Sequence, residues 1–478
     1  MTSRLRRMAL LTVALLAVFT IAAGAAVAQL LPARLALWQI PRVAGEPLTA
    51  PRSVLAVASG APPARAVTAA GLSARLSATL ALPALGRRVA AVVADAATGQ
   101  ILFSRNADSA FTPASTAKLA TAVAALHLLG PAARLSTRVV TGRAPSSVVL
   151  VGGGDPTLAA GRPPASDYPQ PATLASLAAK TARALRARHR RSVRLGYDTS
   201  LYTGPQLAPS WPSSYVSTGN VSPIVALEVD QGRLTASGAP QDADDPGNFR
   251  PRSLTPAADA AAAFAARLVA HGIRVRGQPR PVTAPAGAVT IASVASPPLA
   301  EMVGWMLTES NNVIAENLAR QVAIAAGRPA TFRGAAAAVM ATDQRLGVRG
   351  MRLVDGSGLS PDDRITPRAL VQLVTLAARP ADPGLRPVLT GLPVAGFSGT
   401  LAAGGSVFGA AGPAARGVVR AKTGNLTGVA ALAGVAYASN GQLLAFAFMA
   451  DQVPRNGLNE GAGALAALAG ELASCGCH

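Results

Sequence analysis

Pro113-Ala114-Ser115-Thr116-Ala117-Lys118 opens an apolar helical stretch that runs to Leu129 and stops at Gly130-Pro131. Ser115 and Lys118 stand three apart at a helix start, so hydroxyl and amine project from one face within reach of each other. A serine hydroxyl is a weak nucleophile until a neighbouring base takes its proton. Lysine can serve only if its surroundings lower its pKa from about 10.4 toward neutrality, and arginine, charged at any ordinary pH, cannot serve at all. The chain has 44 basic residues, of which only Lys118, Lys180 and Lys422 are lysines, so a lysine here carries information. The helix N-terminus adds backbone N–H groups that favour negative charge at Ser115.

Two further motifs stand downstream. Ser310-Asn311-Asn312 follows the apolar helical stretch 299–308 and reads as a loop offering a second hydroxyl and a side-chain amide. Lys422-Thr423-Gly424 closes a predicted strand over 417–421, so two of the three lysines fall inside motifs. A lone Ser-x-x-Lys arises by chance at exposed helix starts. Ser-x-x-Lys, Ser-x-Asn and Lys-Thr-Gly in that order, on helix, loop and strand, are hard to obtain by accident.

Outward from these motifs the chain divides by texture. Arg4, Arg6 and Arg7 precede an uncharged stretch over 8–33 with Ala26-Val27-Ala28 as small residues at a cleavage point, so the protein is expected to leave the cytoplasm. Residues 1–28 fit both a cleaved signal peptide and an uncleaved membrane anchor, because the apolar run is long enough to span a bilayer. Residues 29–71, rich in Ala, Pro and Arg, read as a linker. A short helix near 73–82 and a hairpin of 89–95 with 100–104 around Thr98-Gly99 lead to the nucleophile helix. Between 139 and 294 the pattern changes to short strands (147–151, 193–196 and 226–229), one basic helix and many Gly, Pro and Asp turns, which reads as an insertion. Helices return at 299–308 and 313–326, then strands at 429–438 and 443–449 and a closing helix near 462–472. The expected layout is therefore 72–138 and 295–474 as two segments of one catalytic domain, 139–294 inserted, and 475–478 as a tail.

Composition excludes several classes. Half the residues are hydrophobic but only 4% aromatic, so the core must be built from Ala, Val and Leu. The net charge of +21 invites a nucleic-acid reading, yet the densest basic run, 183–194, has no aromatic residue on which a base could stack, so no nucleic-acid partner is expected. Cys475 and Cys477 are the only cysteines, too close together to staple distant segments. With His478 they lie on a tail expected to fray, so no metal site is assigned. His127 is expected to pack in the core, and His189 and His271 to face solvent. Asp155, behind Gly153-Gly154, and Asp355, before Gly356-Ser357-Gly358, read first as turn residues.

The three motifs make the chain similar to the penicillin-recognising serine enzymes, and within them it resembles the low-molecular-mass class C D-alanyl-D-alanine carboxypeptidase/endopeptidase family. The likeness covers about residues 72–472 and includes Gly153-Gly154-Asp155-Pro156-Thr157-Leu158, Asp355-Gly356-Ser357-Gly358-Leu359-Ser360 and Val419-Arg420-Ala421-Lys422-Thr423-Gly424. Ser115 and Ser310 lie 195 residues apart, a spacing that fits this family and not class A β-lactamases. The resemblance implies an α/β catalytic domain, an antiparallel sheet flanked by helices, with a large mixed insertion after the nucleophile helix. It implies no cofactor, peptidoglycan peptides ending in D-Ala-D-Ala as substrate, β-lactams as covalent inhibitors, and an extracytoplasmic location with the N-terminal apolar segment as a membrane contact. It also implies roles: Ser115 as nucleophile, Lys118 as its proton acceptor, Ser310 as proton relay, Asn312 orienting Lys118 and the peptide, and Lys422 supplying positive potential. Thr423 would bind the terminal carboxylate beside Gly424, and the N–H groups of Ser115 and Asn425 would form the oxyanion hole. Two positions depart from the family pattern: Pro361 stands where an arginine is common and Asp363 where asparagine is usual, which touches the peptide preference rather than the acylation chemistry. A β-lactamase and a non-catalytic wall-binding protein are the competing readings.

Overall fold

Leu72, Leu76 and Leu80 recur every fourth residue, and the Thr68 hydroxyl ahead of them accepts from Gly71 N at 3.1 Å, so the first helix, α1, runs Ala69–Leu80 with one leucine face buried. The computed structural model describes residues 66–164, 168–234, 251–403, 412–454 and 457–477. The signal or anchor segment and nearly all of the expected linker lie outside the described residues. The linker was expected to reach residue 71, but the Thr68 cap already starts the helix at Ala69.

β1 (Val89–Asp95) and β2 (Ile101–Arg105) form the expected hairpin, turned where Asp95 Oδ1 accepts from Thr98 N at 2.8 Å. A 3-10 turn, Ala114–Ala117, passes directly into α2 (Lys118–Leu129). Next come β3 (Ser136–Thr141), β4 (Ser147–Val151), α3 (Leu174–Ala187), β5 (Ser192–Asp198), α4 (Pro256–Ala270), β6 (Arg274–Val275), β7 (Arg280–Pro281) and β8 (Thr290–Ala295). Then follow α5 (Leu299–Thr308), α6 (Asn312–Ala325), α7 (Phe332–Arg345), the two-residue strands β9 (Met351–Arg352) and β10 (Arg364–Ile365), α8 (Pro367–Ala378) and α9 (Arg386–Thr390). The chain closes with β11 (Val419–Leu426), β12 (Val429–Tyr437), β13 (Leu443–Ala450) and α10 (Leu458–Ala473).

The main sheet is antiparallel in the order β11-β12-β13-β1-β2, with Val89 opposite Ala450 and Asp95 opposite Leu444, so a strand from the start of the domain closes onto strands from its end. β12 and β13 are nearly continuous apolar runs because helices cover both faces: α1 and α10 on one, α8 on the other. Ala, Val and Leu fill this core as the composition requires, and the Phe446 and Phe448 rings stack with centroids 4.9 Å apart. A second sheet, β6-β5-β4-β3-β8 with β7 beside β5, mixes parallel and antiparallel pairs and packs under α3 and α4 through Leu150, Leu177, Val193 and Phe264. It belongs wholly to the stretch between Ser136 and Ala295.

Several expectations are corrected. Residues 226–229 form no strand: this segment crosses β4's end, where Gly154 N donates to Ala226 O at 2.8 Å and Gly152 leaves no room for a side chain beneath Ala226 O. His127 is exposed, because α2 is enclosed only as far as Leu126 and emerges from the core in its last turn. The C-terminal tail is docked rather than frayed: Thr68 N donates to Cys477 O at 2.8 Å, Ser439 Oγ to Cys475 O at 2.8 Å, and Cys475 is buried. Cys475 and Cys477 are joined to each other in a disulfide that links no distant segments. Asp155 is the expected turn residue, its Oδ1 accepting from Thr157 N at 2.8 Å, with burial pushing its carboxyl up to about 6.

Leu76 sits fully buried between α1 and α10, whereas Leu82, just past the helix, is 43% exposed. Leu76→Ala is expected to lower the unfolding free energy by about 2–5 kcal/mol. Leu82→Ala should change it by less than about 0.5 kcal/mol. Urea titrations of both variants check the contrast.

Candidate active site

The 3-10 turn that carries Ser115 is tightly constrained. Thr116 Oγ1 donates to Pro113 O at 2.7 Å, and Ala114 takes a left-handed φ of 45°. Gly358, at φ 80°, lies so close to Ala114 O that a Cβ would collide with it. Because a 3-10 turn eclipses residues three apart, Ser115 and Lys118 face each other directly, and Lys118 Nζ lies 2.8 Å from Ser115 Oγ.

Lys118 is fully buried and its nitrogen has two further neighbours, Asn312 Oδ1 at 2.7 Å and Ser357 O at 2.8 Å. Both are neutral acceptors. Burial pushes the Lys118 amine down to about 7, against the opposing pull of Asp355, Glu316 and Asp363. A neutral amine has two N–H donors and one lone pair, which matches this set: two donors for the two carbonyl oxygens and a lone pair for the Ser115 hydroxyl.

The second motif lies at the junction of α5 and α6. Ser310, half-buried, is held at φ 54°, outside the conformations a side chain prefers. Asn311 caps α6 by accepting from Ile314 N at 3.0 Å and donates to Gln231 Oε1 at 2.8 Å. Asn312 was expected in a loop; it is the first residue of α6, and its Nδ2 donates to Asn220 O at 2.9 Å while its Oδ1 faces Lys118. Sequence reasoning missed Asn220 and Gln231, which come from the inserted stretch and carry no local signal.

The Ser357 carbonyl is fixed by a buried loop. Asp355 accepts from Ser357 N, Gly358 N and Ser360 N, and from Trp211 Nε1 at 2.8 Å. Glu316, one helical turn past Asn312, accepts from Gly356 N at 3.0 Å; burial, followed by the charge of Asp355, pushes its carboxyl up to about 8. Thr121 Oγ1 donates to Gly356 O at 2.6 Å. The i, i+4 step from Asn312 to Glu316 was readable as a shared helix face, but its partner in the loop was not.

Lys422-Thr423-Gly424 lies inside β11 rather than at its end. Ala421 N donates to Pro393 O at 3.2 Å and Ala395 N to Val419 O at 3.0 Å, so residues 393–395 cover the first half of the strand's outer edge. Backbone groups alternate along a strand, which turns the N–H and C=O of Thr423 and Asn425 toward that same edge, beyond the covering segment. A Cβ on Gly424 would lie 2.6 Å from Pro113 O and 3.2 Å from Ser115 N, so the strand touches the nucleophile turn at a position only glycine fits. Lys422 is fully buried with Nζ donating to Thr423 O at 3.0 Å, and Thr423 Oγ1 donates to Thr400 Oγ1 at 2.9 Å. Asn425 is exposed. Direct hydrogen bonds thus join Ser115, Lys118 and Asn312; Ser310 enters through its neighbour Asn312, and Lys422 to Asn425 enter through the Gly424 contact.

Known proteins are similar to the chain over most of its length. The family model "D-Ala-D-Ala carboxypeptidase 3 (S13) family" matches residues 72–251 and 233–471. A carboxypeptidase of Mycobacterium tuberculosis is 41% identical over 86% of this chain and 85% of its own length. Carboxypeptidase DacB of Mycolicibacterium smegmatis is 40% identical over 90% of this chain and 89% of its own. Among solved structures, penicillin binding protein 4 of Haemophilus influenzae covers 84% of this chain and 98% of its own with a TM-score of 0.65 at 23% identity, which shows a common fold. Matched along two thirds and more of its length by both the family model and these relatives, the chain belongs to the D-Ala-D-Ala carboxypeptidase 3 (S13) family.

Proposed function

We propose that this chain is a serine D-Ala-D-Ala carboxypeptidase that cuts peptidoglycan stem peptides through an acyl-enzyme on Ser115. The observation that carries the reading is the buried Lys118 amine, 2.8 Å from the Ser115 hydroxyl and held by neutral acceptors alone. Ser115 Oγ attacks the carbonyl of the penultimate D-alanine while its proton passes to Lys118 Nζ. The oxygen of that carbonyl gains charge facing Ser115 N and Asn425 N, where one lost donor would cost about 3 kcal/mol. The C–N bond then breaks, and Ser310 relays the proton to the departing amine of the terminal D-alanine. Asn312 orients Lys118 and the peptide, Lys422 draws the substrate carboxylate by its charge, and Thr423 binds it beside Gly424. Water finally attacks the ester and restores Ser115.

Endopeptidase action on D-alanyl cross-links belongs to the same proposal, since only the leaving amine differs. A β-lactam presents the same acylatable carbonyl and would trap Ser115. Such substrates place the enzyme outside the cytoplasm, with the N-terminal apolar segment as its export signal or membrane contact. The two segments flanking the second sheet form the catalytic domain in this reading, and the second sheet is an insertion.

Incubation with a fluorescent penicillin followed by peptide mass spectrometry is expected to find a long-lived adduct on Ser115, absent from Ser115→Ala. Rapid loss of the label would instead identify a β-lactamase, and an unlabelled Ser115 a non-catalytic protein. Only the neutral amine accepts a proton, so the acylation rate should climb as pH rises through about 7. Lys118→Ala should slow it about 10²–10⁴-fold. Asn312→Asp puts a carboxylate against the amine and should move the midpoint of that pH profile upward by about 1–3 units. A midpoint unchanged in the Asn312→Asp variant would count against Lys118 as the base.

A further inference from the structure

Asp355 and Asp363 are two buried carboxyls in one site. Asp355 is supplied with two donors on each oxygen: Ser357 N at 3.1 Å and Gly358 N at 2.7 Å on Oδ1, Ser360 N at 2.7 Å and Trp211 Nε1 at 2.8 Å on Oδ2. That is the environment of an anion. Asp363 lies beside it with no solvent exposure, and its Oδ1 accepts from Val354 N at 2.7 Å. Its Oδ2 is buried and meets no donor among the described residues. Val354, whose N–H Asp363 accepts, directly precedes Asp355, so the two carboxyls adjoin in one buried loop and interact.

Two ionised carboxylates in contact repel strongly where water is excluded, and a single proton between them converts the repulsion into a hydrogen bond. The Asp355 oxygens already receive their donors, so the proton belongs on Asp363. We propose that Asp363 is a neutral carboxylic acid whose hydroxyl donates to Asp355, and that this proton makes it a positioning residue for the loop offering the Ser357 carbonyl to Lys118. The catalytic half of this inference rests on Lys118 being the base; the proton itself does not.

The surrounding charges agree. Asp355 and Glu316 on α6 are the acids that interact with Asp363, each pushing its carboxyl further up, and Lys118 on α2 is a cation that interacts with it. The Arg364 guanidinium turns instead to Thr112 Oγ1 and to the backbone oxygens of Pro361 and Asp363. Burial first, then Asp355, holds Asp363 well above the usual carboxylate range. Between its unfolded and folded pKa values the folded chain therefore keeps a proton that the unfolded chain has released. Stability from this group is lost as pH rises from about 4 toward the raised value, and is constant beyond it.

The test compares wild type, Asp363→Asn and Asp363→Ala. Asparagine supplies a permanent N–H to Asp355 and a carbonyl to Val354 N with nothing to titrate. The melting temperature of Asp363→Asn relative to wild type is expected to rise by about 2–4 °C or more between pH 4 and pH 8. At pH 7, Asp363→Ala should acylate Ser115 with penicillin about 10–100-fold more slowly, and Asp363→Asn should recover most of that loss. A melting difference flat across pH overturns the proton, and asparagine as damaging as alanine overturns the positioning role. Absence of Ser115 acylation in wild type would sink the proposed function and the positioning role with it, while the melting curves still decide the proton.

Discussion

Burying a lysine nitrogen without an ionic partner is the constraint on which the site depends. An ammonium in that place would face three oxygens but no carboxylate in direct contact, and burial makes the charged form costly. The fold answers by bringing a hydroxyl from the turn before α2, an amide oxygen from the start of α6 and a carbonyl from the loop after β9 to one point. None of these segments neighbours another in sequence, so the tertiary fold has to fix all three before the amine is correctly surrounded. Arginine, which the same chain places at almost every other basic position, cannot take this role because its guanidinium stays charged.

Each of the three partners is backed by a second layer. Asn312 is oriented from the inserted stretch by Asn220 O, and its neighbour Asn311 by Gln231. Trp211, also from that stretch, reaches Asp355 and packs edge-on against Phe332 at 5.1 Å, tying the loop to α7. The segment after β5 therefore carries part of the precision of the centre, beyond enlarging the surface around it. Glycine does the rest: Gly358 and Gly424 let a loop and a strand approach the Ser115 turn more closely than any side chain would permit.

What was legible in the sequence follows from how local each signal is. Helix caps, leucine spacing and apolar strand runs depend on a few neighbouring residues, so α1, the β1–β2 hairpin, β12, β13 and α10 were readable to within a few residues. Ser115 and Lys118 were readable because three-residue spacing on one helix fixes their proximity. Asn312 and Lys422 were readable as parts of two further motifs, and the likeness to a known family supplied the roles that join them to Ser115 and Lys118. Asn220, Gln231, Trp211 and Glu316 stayed hidden, since each acts through a partner from 40 to 144 residues away. The strand expected at 226–229 failed for a related reason: an apolar run there serves to cross the glycines after β4, and crossing leaves the same pattern as pairing.

The acids around Lys118 show why proximity alone does not decide its charge. Asp355, Glu316 and Asp363 would all favour the ammonium if ionised, and together they would make Lys118 a poor base. Burial pushes Glu316 up to about 8 and Asp363 well above the usual carboxylate range, which weakens two of the three opposing charges. The remaining carboxylate, Asp355, spends its charge on four donors of its own loop. The same carboxyl groups thus shape the loop that holds the amine while leaving the amine free of a counter-ion. Fully ionised, these acids would make the lysine above them hold its proton through the pH range in which it has to give it up.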